Sequence, residues 1–277
     1  MIVCETRQQL ATARKDLRGR VAVVMTMGAL HEGHAELVRQ ARQHADSVIV
    51  TVFVNPLQFG AGEDLDRYPR TLDADLALCE LEGADVVFTP TPDVVYPDEP
   101  VVRVAAGSLG NVFEGAHRPG HFDGVLTVVL KLLHLTQPDI ALFGQKDAQQ
   151  LAAIRRMVSD LDVPVTVVAV PTVREPDGLA LSSRNRYLTE QERHTALLLS
   201  QALHARDVAA GRALFVGAPA ELDYLERVDS ATFEAAPDGD LVIIAAKVGT
   251  TRLIDNLPLQ NDSALPPSAL PPQKDIV

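Results

Sequence analysis

Two histidines three positions apart, His31 and His34, lie within Met27-Gly28-Ala29-Leu30-His31-Glu32-Gly33-His34. The apolar run Val21–Thr26 before them reads as a buried strand, and Leu37, Val38 and Ala41 after them carry helical spacing. The octapeptide is therefore a strand-to-helix turn. Backbone N–H groups that open a helix attract anions, and imidazole rings add donors for phosphate oxygens. Gly28 and Gly33 permit tight or left-handed backbone at this point. The pair could instead be half of a metal site, without a third ligand at fixed spacing, or a satisfied structural pair. The strand–turn–helix context favours phosphate.

Further groups bear chemistry at other turns. In Phe143-Gly144-Gln145-Lys146-Asp147, Lys146 can offset charge on transferring phosphates, while Asp147 can cap the next helix or approach magnesium. Gln150 lies one helical turn after Lys146, so both can face one cleft. Leu181-Ser182-Ser183-Arg184-Asn185-Arg186 offers hydroxyls and a guanidinium fork suited to phosphate. Asn55-Pro56-Leu57-Gln58-Phe59 presents Gln58 to a small polar ligand, and Glu114–Phe122 gathers charge and histidine before an apolar segment. Each has a plain reading as well: a solvated lysine, a Ser/Arg loop, an Asn-Pro turn, an elaborate helix entry.

Positioning these groups requires alternating strands and helices. Strands are expected at Val21–Thr26, Ser47–Val54, Asp85–Phe88, Ile140–Phe143 and Val165–Val170. A helix capped by Thr71 with a Leu72, Leu76, Cys79 stripe, a buried helix over Val125–Leu135, and another over Ala148–Val158 lie between them. This order predicts an α/β fold, a Rossmann-like parallel sheet with crossover helices, over residues 1–173. Thr189 and Glu192 form a capping box, and strands follow at Leu222–Val228, Leu241–Lys247 and from Thr251. That predicts a smaller α+β domain over 174–262. The proline-rich stretch 263–277 is expected to lack helix or strand.

A net charge of −12 argues against a general nucleic-acid partner, because phosphate backbones reward excess Lys and Arg. No apolar run approaches the length that spans a bilayer. Cys4 and Cys79 form no framework, which fits a reducing cytoplasm.

In combination and order, Thr26–His34, Phe53–Gly60, Glu63–Thr71, Arg118–Val129, Phe143–Asp147 with Gln149 and Gln150, and Asp177–Tyr187 resemble the pantoate–β-alanine ligases, up to about Pro258. The resemblance implies ATP-dependent condensation of pantoate with β-alanine through a pantoyl adenylate, with Mg2+ accompanying ATP, and a homodimer. It assigns Met27–His34 (Met27, Gly28, Ala29, Leu30, His31, Glu32, Gly33, His34), Gly144, Gln145, Lys146, Asp147, Val173, Leu181, Ser182, Ser183 and Arg184 to ATP. Gln58 and Gln150 go to pantoate, with Gln58 also near β-alanine; His34, His31, Lys146 and Arg184 go to chemistry, His34 as proton donor. Met25 and Gln145 stand where the family usually has Pro and Glu, and the chain is shorter between about Ala209 and Leu222. Another nucleotidyltransferase, or a non-catalytic nucleotide-binding protein of the same fold, are the alternative readings.

Overall fold

The computed structural model describes residues 1–60, 63, 65–205 and 207–259. Among them, six parallel strands form a sheet in the order β1-β4-β3-β2-β5-β6. The strands are β1 (Ile2–Cys4), β2 (Val21–Thr26), β3 (Ser47–Val52), β4 (Val86–Phe88), β5 (Ile140–Gly144) and β6 (Thr166–Val170). Helices α1 (Arg7–Asp16), α2 (Glu32–His44), α3 (Leu72–Leu81), α4 (Pro92–Val95), α5 (Glu114–His117), α6 (His121–Thr136) and α7 (Ala148–Asp160) connect them. From β2 the chain moves outward through β3 and β4, then returns to the other side of β2 as β5. Strand order therefore reverses between β2 and β5, and in open parallel sheets ligands bind at the carboxyl ends beside such a reversal.

Burial on both faces explains the continuous apolar strands. Val21 and Val23 face one core with Ile49, Phe88, Leu126 and Ile154, while Ala22 and Val24 face the other with Val38, Ala41, Val50 and Cys79. Each fully buried Val or Ile contributes about 1.5–3 kcal/mol. Four of these elements lacked a sequence expectation: β1 at the sheet edge, the short α4 and α5, and α1, which Thr6 and Gln9 open with a reciprocal capping box. One expectation is corrected: Leu72 is 43% exposed, and α3 turns Asp75 and Cys79 inward instead, with Leu76 partly buried. Thr71 sits at the N-cap without capping; its hydroxyl donates to Asp75 Oδ1 at 3.1 Å.

Helices α8 (Glu190–His204) and α9 (Val208–Ala213) precede an antiparallel sheet, β7 (Ala220–Val228), β8 (Leu241–Val248) and β9 (Thr251–Pro258), with β8 central. The Thr189–Glu192 capping box forms as expected. Alternation divides β8: Val242, Ile244 and Ala246 pack on Leu199 and Leu203 of α8, while Leu241, Ile243 and Ala245 join the core of the large sheet. Among the described residues no helix is long and apolar enough to cross a membrane. The stretch expected to lack regular structure, 263–277, lies outside the described residues.

Helix α6 meets the 3-10 turn Pro56–Gln58 with almost no space between them, because position 124 has no side chain. A Cβ there would lie 2.1 Å from Leu57 O and 2.7 Å from Gln58 N. Backbone atoms cannot swing aside. Gly124→Ala is accordingly expected to cost about 3 kcal/mol of stability, seen as a lower urea midpoint with unchanged slope.

Candidate active site

The turn from β2 to α2 is built by satisfying its own backbone. Gly28 has φ +84° and Ala29 φ 50°, so the chain reverses through left-handed conformations that glycine adopts freely and alanine does not. Gly28 N donates to Thr26 Oγ1 at 3.2 Å. Ala29 N and Leu30 N donate to Asp75 Oδ2 and Oδ1 at 3.1 and 2.8 Å.

The two histidines then cap the helix reciprocally. His31 Nδ1 accepts from Gly33 N at 3.1 Å, and His34 Nδ1 accepts from His31 N at 3.2 Å. Their ring centroids lie 4.1 Å apart. An Nδ1 that accepts a backbone N–H carries no proton, so each neutral ring holds its proton on Nε2. Charge is disfavoured on both. Burial and the adjacent His31 push the half-buried His34 down to about 3. Burial and the nearby Lys146 lower His31 as well. From Gly28 to Gly33, only Glu32 N–H has no acceptor among the described residues. The Glu32 side chain turns away to Arg39.

The second turn leaves β5 beside this one. Gly144 ends the strand and Gln145–Asp147 form a 3-10 turn into α7. Asp147 occupies the N-cap without a capping bond; its carboxylate instead lies 3.5 Å from Lys146 Nζ. Desolvation works to raise the Asp147 pKa, and Lys146 and Arg184 outweigh it, holding the carboxyl below the usual range. Asn256, on β9, donates its amide N–H groups to Gln145 O and Lys146 O at 2.8 and 2.9 Å. The antiparallel sheet thus grips the backbone that carries Lys146.

Lys146, Asp147, Gln150, Ser182 and Arg184 line one cavity of about 860 Å³ between the two sheets. Gln150 has no partner among the described residues and is free to meet a ligand. Ser182 Oγ accepts from Arg184 N at 3.3 Å, and Leu181 N donates to Val173 O at 2.9 Å, so this loop folds back on residue 173. Gln58 is buried, and neither it nor any residue of Met27–His34 is among those that line this cavity. Asn55 Nδ2 donates to Gln58 Oε1 at 3.0 Å, which aims Gln58 Nε2 at Met27 Sδ, 3.1 Å away. Tyr96 OH and Gly124 O hold Asn55 in turn. Ser183 and Val173 are half-buried and do not line the cavity.

The Glu114–Phe122 group proves to be more than a helix entry. Glu114, His117, Arg118, His121 and Phe122 all line the cavity. Arg118 pairs with Glu63 at 2.5 Å, holding the Glu63 carboxyl below its usual range. Glu114 receives two N–H groups of Arg252 at 2.7 Å and the Tyr224 hydroxyl at 2.7 Å, across from the small sheet. Burial alone would raise the Glu114 pKa, but Arg252 keeps it lowered. Sequence reading missed Asp75, Asn256 and Arg252. For Asp75 a signal existed: it stands four residues before Cys79, on the same face of α3.

A family model described as pantoate-beta-alanine ligase matches residues 2–258. The chain belongs to that family. It is 56% identical over 278 residues to the pantothenate synthetase of Acidothermus cellulolyticus, covering 94% of this chain and 92% of that protein. It is 57% identical to that of Salinispora arenicola, with 92% and 96% covered. The crystal structure of pantothenate synthetase from Thermus thermophilus superimposes with a TM-score of 0.87 at 45% identity, over 94% of this chain and 99% of that one. The family member from Francisella tularensis, solved with beta-gamma ATP and beta-alanine, gives 0.84 at 34% identity, covering 94% and 98%.

Because His34 resists protonation, the unfolded chain binds a proton below pH 6.5 that the folded chain refuses until about pH 3. Its contribution to stability therefore rises with pH through that window and is complete above it. Nitrogen NMR at about pH 5 is expected to show His34 neutral with its proton on Nε2, where a free histidine is mostly charged. An imidazolium signal there would contradict the buried cap.

Proposed function

We propose that this chain condenses pantoate with β-alanine, using ATP, by way of a pantoyl adenylate. The supporting observation is that the histidine turn of β2 and the lysine turn of β5 leave neighbouring parallel strands at the strand-order reversal, close enough for Lys146 to act electrostatically on His31, while Lys146 lines a cavity that the antiparallel sheet closes. The two steps need little covalent help from the protein; alignment and charge stabilisation suffice. A pantoate carboxylate oxygen attacks the α-phosphorus, the bond to the bridging oxygen breaks, and pyrophosphate leaves. The β-alanine amine nitrogen then attacks the acyl carbon, AMP leaves with the bonding pair, and the new amide sheds a proton.

Lys146 and Arg184 meet the phosphate charge, and the Glu32 N–H supplies a further donor at the start of α2. His31 and His34 serve as neutral donors through Nε2–H. His34 is the proton-donor candidate, and at neutral pH the proton it presents is the Nε2–H. The free amide of Gln150 and the fixed amide of Gln58 recognise pantoate, Gln58 nearest the approach of β-alanine. Met27–His34, Gly144–Asp147, Val173 and Leu181–Arg184 make up the ATP site. Enclosure between the sheets protects the adenylate from hydrolysis.

Among the described residues no group of three or more His, Cys, Asp or Glu could hold a metal. A magnesium ion arriving with ATP would be held by phosphates and water, with Asp147 the carboxylate to join them. Such an ion neutralises phosphate charge. We further assign residues 1–173 and 174–262 to separate domains, and the protein to a cytoplasmic homodimer.

Supplying ATP, magnesium and pantoate is expected to release pyrophosphate in stoichiometric amount, and adding β-alanine to give continuous AMP and pantothenate. Folded protein that makes no pantothenate overturns the proposal. Lys146→Ala is expected to slow adenylate formation on the order of 100- to 1,000-fold with the fold intact, measured as the single-turnover release of pyrophosphate.

A further inference from the structure

Asp75 is 2% exposed and makes no ion pair among the described residues. A buried carboxylate without a cation is expensive unless several donors surround it. Here the donors are Ala29 N, Leu30 N and the Thr71 hydroxyl, at 3.1, 2.8 and 3.1 Å. Two of the three belong to the histidine turn, at and just beyond its left-handed residues. A Cβ on Gly28 would meet Asp75 Oδ2 at 3.1 Å, so the carboxylate also fits closely beneath that glycine.

A negative charge beside a phosphate site opposes the ligand electrostatically. What it gives instead is geometry. Only a carboxylate offers two acceptor oxygens to two consecutive N–H groups, and those bonds hold Ala29 at φ 50°, a conformation alanine disfavours. With Ala29 N and Leu30 N occupied behind the turn, Glu32 N–H and the two Nε2–H groups are the donors left for a ligand.

The geometry points to Asp75 as a positioning residue for the nucleotide reaction: its carboxylate pins the backbone of Ala29 and Leu30 so that His31 and His34 cap α2 with their Nε2–H groups aimed at phosphate. The inference rests on the reading of this turn as the ATP site. It adds a requirement of α3, an element that contributes no group to the cavity wall.

Asp75→Asn tests it. The amide keeps one acceptor but sets an N–H against a backbone N–H, so the turn must shift. Misplacement of this kind lowers kcat/KM for ATP on the order of 100-fold, while KM for pantoate changes far less, because Gln150 is untouched and Asn55 holds Gln58 independently of the turn. Adding Ala29→Gly to Asp75→Asn relieves the disfavoured conformation and is expected to restore part of the loss. Thr71→Val, at an exposed position, removes one bond to Asp75 and is expected to give a milder loss confined to ATP, even should the Asn variant not fold. Unchanged kcat/KM for ATP in a folded Asn variant, or equal losses toward ATP and pantoate in both single variants, overturns the inference. Absence of pantothenate with the unmodified protein would instead remove the underlying functional reading.

Discussion

A chain leaving the middle of a buried parallel sheet must turn into a helix within a few residues, without stranding its N–H groups. At the end of β2 this constraint governs the rest of the site. The interior donors of the turn go to Thr26 and Asp75, and His31 N and Gly33 N go to the two histidine rings, which leaves Glu32 N–H open at the helix start. Using the rings as caps decides their chemistry. Nδ1 is an acceptor in both, so the rings stay neutral and face outward as Nε2–H donors. A feature that satisfies the backbone thereby also prepares the site.

The second turn obeys the same rule with a different partner. Gln145 O and Lys146 O are held by Asn256 from β9, not by their own helix. The small sheet is attached further by Arg252 on Glu114, while Arg174 on Asp255, at 2.6 Å, ties the segment after β6 to β9. These pairs are half-buried, where geometry and desolvation give charges more weight than they have in open water. The antiparallel sheet therefore does more than cover the cavity: it fixes the backbone from which Lys146 reaches inward. A third set of bonds fixes the Asn55 turn, where Asn55 orients Gln58 and the missing side chain of Gly124 lets α6 approach.

Much of this was legible in the residues. Both strand–turn–helix motifs, the parallel sheet, the Thr189 capping box and the three late strands follow from periodicity and caps, which are local signals. The grouping of Lys146, Gln150, Ser182 and Arg184 was anticipated by a family resemblance that spans the chain. Leu72 was misread because a helical stripe can rotate by one position when a buried polar residue has a use, and Asp75 has one. Asn256 and Arg252 carried no signal, since their partners lie 110 and 138 residues away.

By itself, then, the sequence determined the strand and helix order, the two turns that bear chemistry, and the family to which the chain belongs. Tertiary structure alone decided which atoms those turns leave free, the protonation of His31 and His34, the burial of Gln58 against Met27, and the grip of β9 on Lys146. The reason is physical. Periodicity and capping act over a few residues, whereas hydrogen-bond satisfaction and desolvation are settled only when distant segments pack together.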